Sequence, residues 1–174
     1  MVNEATAAAV RPQPDRAAPT SDAPARRPSW LLCRAGTLLC AIPLEHVIET
    51  LRVLPIEAVA GAPRYVRGLS VIRGAAVPVI DAGLLVGDQP TSPERLITIK
   101  TGSRTIALAV ETVVGISALG AETVTALPPL LRDAASEAIA AIGTLDAELL
   151  IVLRAARMVP PDVLDRLIAD GASA

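Results

Sequence analysis

The sequence predicts a mainly β protein, small barrels or a sandwich in two repeated halves, with short helices and a helix near the C-terminal end. Three observations predict it. Short apolar runs alternate with turn residues at roughly ten-residue spacing, the rhythm of hairpins and not of βαβ units. Hydrophobic residues make up 52% of the 174 positions, yet Phe is absent and there is one Trp and one Tyr, so Leu, Ile, Val and Ala must fill the core. The chain also repeats itself at a constant offset of 66, matching Gly36 with Gly102, Ala41 with Ala107, Ile42 with Leu108, Leu44 with Val110, Glu45 with Glu111, Val47 with Val113 and Ile48 with Val114. A chain of this length folds as one ordinary domain or as two small subdomains sharing a core.

From Met1 to about Pro28 the composition is Ala, Pro, Arg and Asp without periodicity, too little apolar surface to offset its ordering entropy. Residues 1–28 therefore read as a disordered tail. Order begins at Trp30, where Trp30-Leu31-Leu32-Cys33 and the run from Thr37 to Ile42 flank a glycine turn as a hairpin. A turn at Gly36-Thr37 sets Cys33 and Cys40 across from each other. That permits a disulfide in an oxidising compartment, but two small buried thiols are the expectation for a cytoplasmic protein. The polar loop from Gly87 to Glu94 separates the halves, and the hairpin recurs as Leu96–Ile99, Gly102-Ser103 and Thr105–Val110.

Each half continues with a second β pair. In the first it is Gly68–Ile72, the turn Arg73-Gly74 and Ala76–Ile80; in the second it is Ile139–Leu145, a turn near Asp146-Ala147 and Glu148–Leu153. Pro78 cannot donate to a ladder, so its strand is expected at an edge or a bulge. Past Arg154–Met158, a short helical turn, Pro161 suits a first helical position, and Val163, Leu164, Leu167 and Ile168 line one face at helical spacing. That stripe is expected to dock on the chain's own core. The ordered domain is set at 29–159 and a helical extension at 160–174, with the barrel halves meeting near 87–94 and the C-terminal segment able to return to the first barrel.

Several function classes fall away. Sixteen Lys+Arg against eighteen Asp+Glu give a formal charge of -2, with Lys100 the one base that is not Arg, so no clustered positive face is expected for nucleic acid. Only Trp30 and Tyr65 could stack on bases. The two cysteines form no CxxC pair and have no His or Cys cluster around them, so neither metal nor cofactor is expected. The single histidine, His46, has no nucleophile or second ligand nearby in sequence and reads as a surface residue at a strand or turn. There is no GxSxG elbow, no phosphate loop and no HExxH helix, and the carboxylates Asp81, Asp146 and Glu148 lack the companions of a glycosidase pair. No secretory or membrane-spanning run is visible, which places the chain in the cytoplasm without membrane insertion.

The segment from Tyr65 to Gly87 is what remains. Arg67 beside Gly68 and Arg73 beside Gly74 either present guanidinium groups as interface anchors or merely stay solvated while the glycines serve tight turns. The residues alone leave both readings open.

Tyr65-Val66-Arg67-Gly68, Ile72-Arg73-Gly74 and the run from Ala76 to Asp81, with Leu127-Pro128-Pro129-Leu130-Leu131 and Ile142-Gly143-Thr144-Leu145-Asp146 later, resemble the CheW-like coupling proteins of bacterial chemosensory systems, over about Trp30 to Val159. The resemblance implies two five-stranded β-barrels around a shared core and a non-catalytic adaptor. Its implied partners are chemoreceptor cytoplasmic tips and the regulatory domain of a CheA-type histidine kinase, with other CheW-like domains as a further class. The family's interaction residues fall on Val47 and Glu49, at the end of the first barrel's second strand, and on Arg67, Gly68, Arg73 and Gly74. Arg73 is the expected polar anchor, with Val71 and Ile72 as its apolar surround. Departures from the family pattern are Val71, where a polar residue is common, Asp81-Ala82-Gly83 in place of Asp-Leu-Arg, and Arg154-Ala155-Ala156-Arg157 in place of an acidic helix start. Alternatives of the same kind are a competitor of another adaptor, or an adaptor of a non-chemotaxis system. From other classes, a small-molecule site between the barrels and a nucleic-acid-binding barrel are the competing readings.

Overall fold

The computed structural model describes residues 27–120, 122–129 and 137–171. The predicted tail up to residue 26, Leu130-Leu131 of the second proline segment and the side chain of Ile168 lie outside the described set. In chain order the elements are β1 (Ser29–Ala35), β2 (Leu38–Pro43), a 3-10 turn (Leu44–His46), β3 (Val47–Arg52), β4 (Val66–Ile72), β5 (Ala75–Asp81) and α1 (Ala82–Val86). Then come β6 (Arg95–Thr101), β7 (Arg104–Val110), β8 (Thr112–Ala118), β9 (Val124–Ala126), β10 (Ile139–Leu145), β11 (Glu148–Leu153), a second 3-10 turn (Ala155–Arg157) and α2 (Pro161–Gly171).

All four predicted hairpins form, because each pairs two apolar runs across a two-residue turn. The strands nevertheless sort into sheets by exchange. One sheet has the order β8-β1-β2-β11-β10-β9 and the other β3-β6-β7-β5-β4. Each therefore combines a hairpin from one side of the 87–94 loop with strands from the other side, joined through the parallel pairs β2–β11 and β5–β7. The mainly β, two-subdomain expectation holds. The correction is in detail: one sheet has five strands and the other six, and among the described residues the first and last strands of each sheet do not pair with one another, where closed five-stranded barrels were expected.

The repeat survives at atomic scale. In β3 the register slips between Val47 and Glu49, making Ile48 a bulge; in β8 the slip falls between Val113 and Gly115, making Val114 the matching bulge. Both bulge residues are about half exposed, as expected for a side chain left unpaired by the ladder.

Three aliphatic clusters account for the continuous apolar runs. Alternate residues of both sheets face one shared core: Leu31, Cys33, Cys40 and Ile42 from one, and Ile97, Ile99, Ile106 and Leu108 from the other. The residues between them fill a private core behind each sheet, Leu32, Leu39, Ala41 and Leu150 in one case, Val77, Val79, Ala107 and Ala109 in the other. Strands buried on both faces need no polar alternation, which is why Ile106-Ala107-Leu108-Ala109-Val110 carries none. Helix α2 inserts Val163, Leu164 and Leu167 into the shared core, so its stripe docks internally as expected. Arg104 bonds Asp165 and the carbonyl of Pro161, fixing the start of that helix to β7.

Two local expectations change. Pro78 lies in β5, which has β7 on one side and β4 on the other, so it is neither on an edge strand nor at a bulge. It is tolerated because it faces Leu69 in a non-hydrogen-bonded pair and the ladder to β7 begins one residue later, at Val79. Cys33 and Cys40 are cross-strand partners as predicted, and both are free and buried. Burial pushes the Cys40 thiol up to about 12 and raises Cys33 as well, which leaves both unreactive.

Candidate functional site

Arg73 and Gly74 form the two-residue turn between β4 and β5, with φ of 50° and 80°. Two positive φ values in a row match the twist of the strands they join. A Cβ on Gly74 would meet nothing within 4 Å, so its role is backbone conformation and not close packing. The turn projects Arg73 outward, with its side chain 79% exposed. Its Nε and Nη2 donate to Glu49 Oε1 and Oε2 at 2.8 and 2.6 Å, a two-pronged ion pair.

That pair spans the sheet. Glu49 belongs to β3 and Arg73 to the tip of the β4–β5 hairpin, the first and last positions in the strand order. The sheet curls until its two ends are linked by side chains. Glu49 is aimed there by the bulge at Ile48, and the buried Thr98 steadies that bulge by accepting from the Glu49 N–H at 3.2 Å and donating to its carbonyl at 3.3 Å. The hydrogen bonds from Arg73 hold the Glu49 carboxyl below its ordinary value, and the guanidinium is raised in turn.

The other residues singled out from the sequence separate into surface and interior. Val71 is 70% exposed beside the turn and Ile48 is 54% exposed beside Glu49, so the ion pair has an apolar neighbour from each strand. Ile72, expected on that surface, is buried in the private core of its sheet, because strand alternation turns it inward between Val71 and Arg73. Val47 is half-buried against the shared core, and with Glu49 it lies on β3 and not at the end of the second strand; Pro43 and the 3-10 turn end β2 and carry the chain into the other sheet.

Arg67 and Gly68 serve the interior. Arg67 Nε donates to Asp81 Oδ2 at 2.8 Å, and its Nη2 contacts the same oxygen and the carbonyl of Thr91. Asp81 is fully buried; it also caps α1 by accepting from the Leu84 N–H at 3.1 Å and receives the Thr91 N–H. This knot joins β4, β5, α1 and the 87–94 loop. Gly68 is not a turn glycine: it sits within β4 at φ 143°, where a Cβ would come within 2.0 Å of the Glu57 carbonyl oxygen. His46, in the 3-10 turn, lies 3.6 Å from Glu45. Among the described residues no group of three or more His, Cys, Asp or Glu is placed to hold a metal ion. No described helix is long and apolar enough to cross a membrane.

Residues 29–161 match the sequence profile of the CheW-like domain. The chain belongs to the CheW-like family. Protein FrzA of Myxococcus xanthus is 32% identical to this CheW-like chain over 127 residues, covering 71% of it and 78% of FrzA. The chemotaxis protein CheW of Klebsiella aerogenes is 26% identical over 118 residues, covering 63% and 71%. The crystal structure of the scaffolding protein TtCheW from Thermoanaerobacter tengcongensis superposes with a TM-score of 0.69 at 16% identity, over 79% of this chain and 90% of that one, so the CheW-like fold is shared. The departure at Asp81-Ala82-Gly83 also finds its place in this CheW-like domain: a Cβ on Gly83 would come within 2.2 Å of the Gln89 carbonyl oxygen, so the loop closes against bare backbone.

Proposed function

We propose that this CheW-like chain is a non-catalytic adaptor that couples chemoreceptor cytoplasmic tips to the regulatory domain of a CheA-type histidine kinase. It acts at the cytoplasmic face, recruited to membrane receptor arrays, and needs no cofactor. The observation that carries this reading is the Arg73–Glu49 pair at the outer end of a curled sheet, flanked by Val71 and Ile48. A guanidinium already held flat by a carboxylate loses little conformational freedom on docking, and the adjacent aliphatics supply area to bury. Such a surface catalyses nothing; it changes which kinase state is populated by binding the states with different affinity. Touching two partners at once raises the effective concentration of each near the other.

Arg73→Glu tests the assignment. It places two carboxylates together at the tip, so capture of receptor or kinase domain should fall at least about tenfold, while thermal unfolding stays within a few degrees because the Arg73 side chain is 79% exposed and its charge is screened by solvent. Equal loss of capture and of melting temperature would make Arg73 a structural residue and remove the support for the reading.

A further inference from the structure

Among the described residues, the outer edge of β4 is paired at one point only. Counting from the two-residue turn, Ile72–Ala75 is the first hydrogen-bonded pair of the hairpin and the ladder then alternates, so Leu69 and Val71 turn their N–H and C=O groups away from β5. Leu69 is satisfied on that side: its N–H donates to the Glu57 carbonyl and its carbonyl accepts from the Glu57 N–H, both at 2.8 Å. In antiparallel order the next partner, for Val71, would be Pro55, which has no N–H; the bridge stops at Glu57–Leu69 and the two segments diverge. Between them runs a groove of about 660 Å³ walled by Leu54, Pro55, Val59, Val71 and Ala76. Glu57 lines it too, exposed and without an ion-pair partner among the described residues.

We propose that this groove takes an extended peptide segment of a partner protein, added antiparallel to β4 at Val71, with aliphatic side chains in the groove and a basic residue at its C-terminal end facing Glu57. An outward N–H and C=O at strand spacing are the complement of another strand, and a free aliphatic molecule would leave both unsatisfied. The direction follows from the geometry: β4 runs from Val66 to Ile72, so an antiparallel segment ends beside Leu69 and Glu57, where the unpaired carboxylate selects a positive charge. The slot stands on backbone geometry and does not depend on the reading of the Arg73 tip.

The test is an amide chemical-shift titration of the intact chain with the blocked peptide acetyl-Thr-Val-Thr-Val-Thr-Lys-amide. Saturable shifts are expected at Val71 and along residues 54–60. Replacing the second valine of the peptide, the one set opposite Val71, by proline should weaken binding roughly tenfold through the lost hydrogen bond. On Glu57→Lys protein, with unchanged melting, a glutamate-ended peptide should outbind the lysine-ended one. No saturable shift at millimolar peptide overturns the proposal. So does a proline-bearing peptide that binds equally well, which would mean apolar adsorption without strand pairing. Either failure would leave the Arg73→Glu result unaffected.

Discussion

Arg73 stands in a left-handed turn conformation, and its guanidinium is met by a carboxylate from the opposite end of the sheet. Because that contact holds the Glu49 carboxyl below its ordinary value of 4.5, its contribution to stability is present above that pH and is lost as pH falls through the lower folded value. A side-chain carbon titration of Glu49 should therefore give a midpoint below 4.5. Arg73→Ala should move it upward; an unmoved midpoint would mean the two groups are not paired in solution. Arg67 does a different job six positions earlier. Removing its partner by Asp81→Ala leaves a mostly buried guanidinium and frees the Leu84 and Thr91 amides, at a cost of about 3 kcal/mol. For a chain of this size that lowers the melting temperature by roughly 6–12 °C, where a change under 2 °C would show the knot to be unimportant. In sequence the two arginines look alike, each beside a glycine. What separates them is Asp81, and only the pairing of β4 with β5 puts Asp81 beside Arg67.

Hairpins were the most legible elements, because a two-residue turn between apolar runs is a local signal that fixes register at once. The offset of 66 was equally legible and matched Ile48 with Val114, but that both are bulges was not, because nothing local says that a matched pair of residues will be bulges. The crossing of β3 was not legible: Pro43 and a single 3-10 turn are too short to announce a change of sheet. Nor was the buried position of Gly68, whose constraint comes from Glu57 across a loop. The second-half turn carries a testable cost. Asp146 and Ala147 have φ of 50° and 64°, and Ala147 adopts this left-handed conformation without any side-chain hydrogen-bonding group to compensate. Ala147→Gly should raise stability by about 1 kcal/mol, or roughly 2–4 °C, as measured by calorimetry. A lower melting temperature would mean that the turn is not strained.

At the scale of the molecule, the exchange of hairpins means that neither half owns a sheet, and the aliphatic shared core packs the two sheets against each other. A shared core suits the proposed adaptor role, in which two partners are held at a set separation. The arginine tip lies on the sheet that runs from β3 to β4, while the uncharged strand β8, with Val114 and Ile116 exposed, ends the other sheet. The two sheets thus present chemically different outer strands, which the proposed contact with two unlike partners would use. Co-sedimentation tests this most directly. Membranes bearing a chemoreceptor, a CheA-type regulatory domain and this protein are mixed and pelleted, and the regulatory domain should pellet only when the adaptor is present, with Arg73→Glu abolishing the effect. A regulatory domain that pellets equally without the adaptor, or an adaptor that binds neither membrane nor kinase domain, would contradict the account.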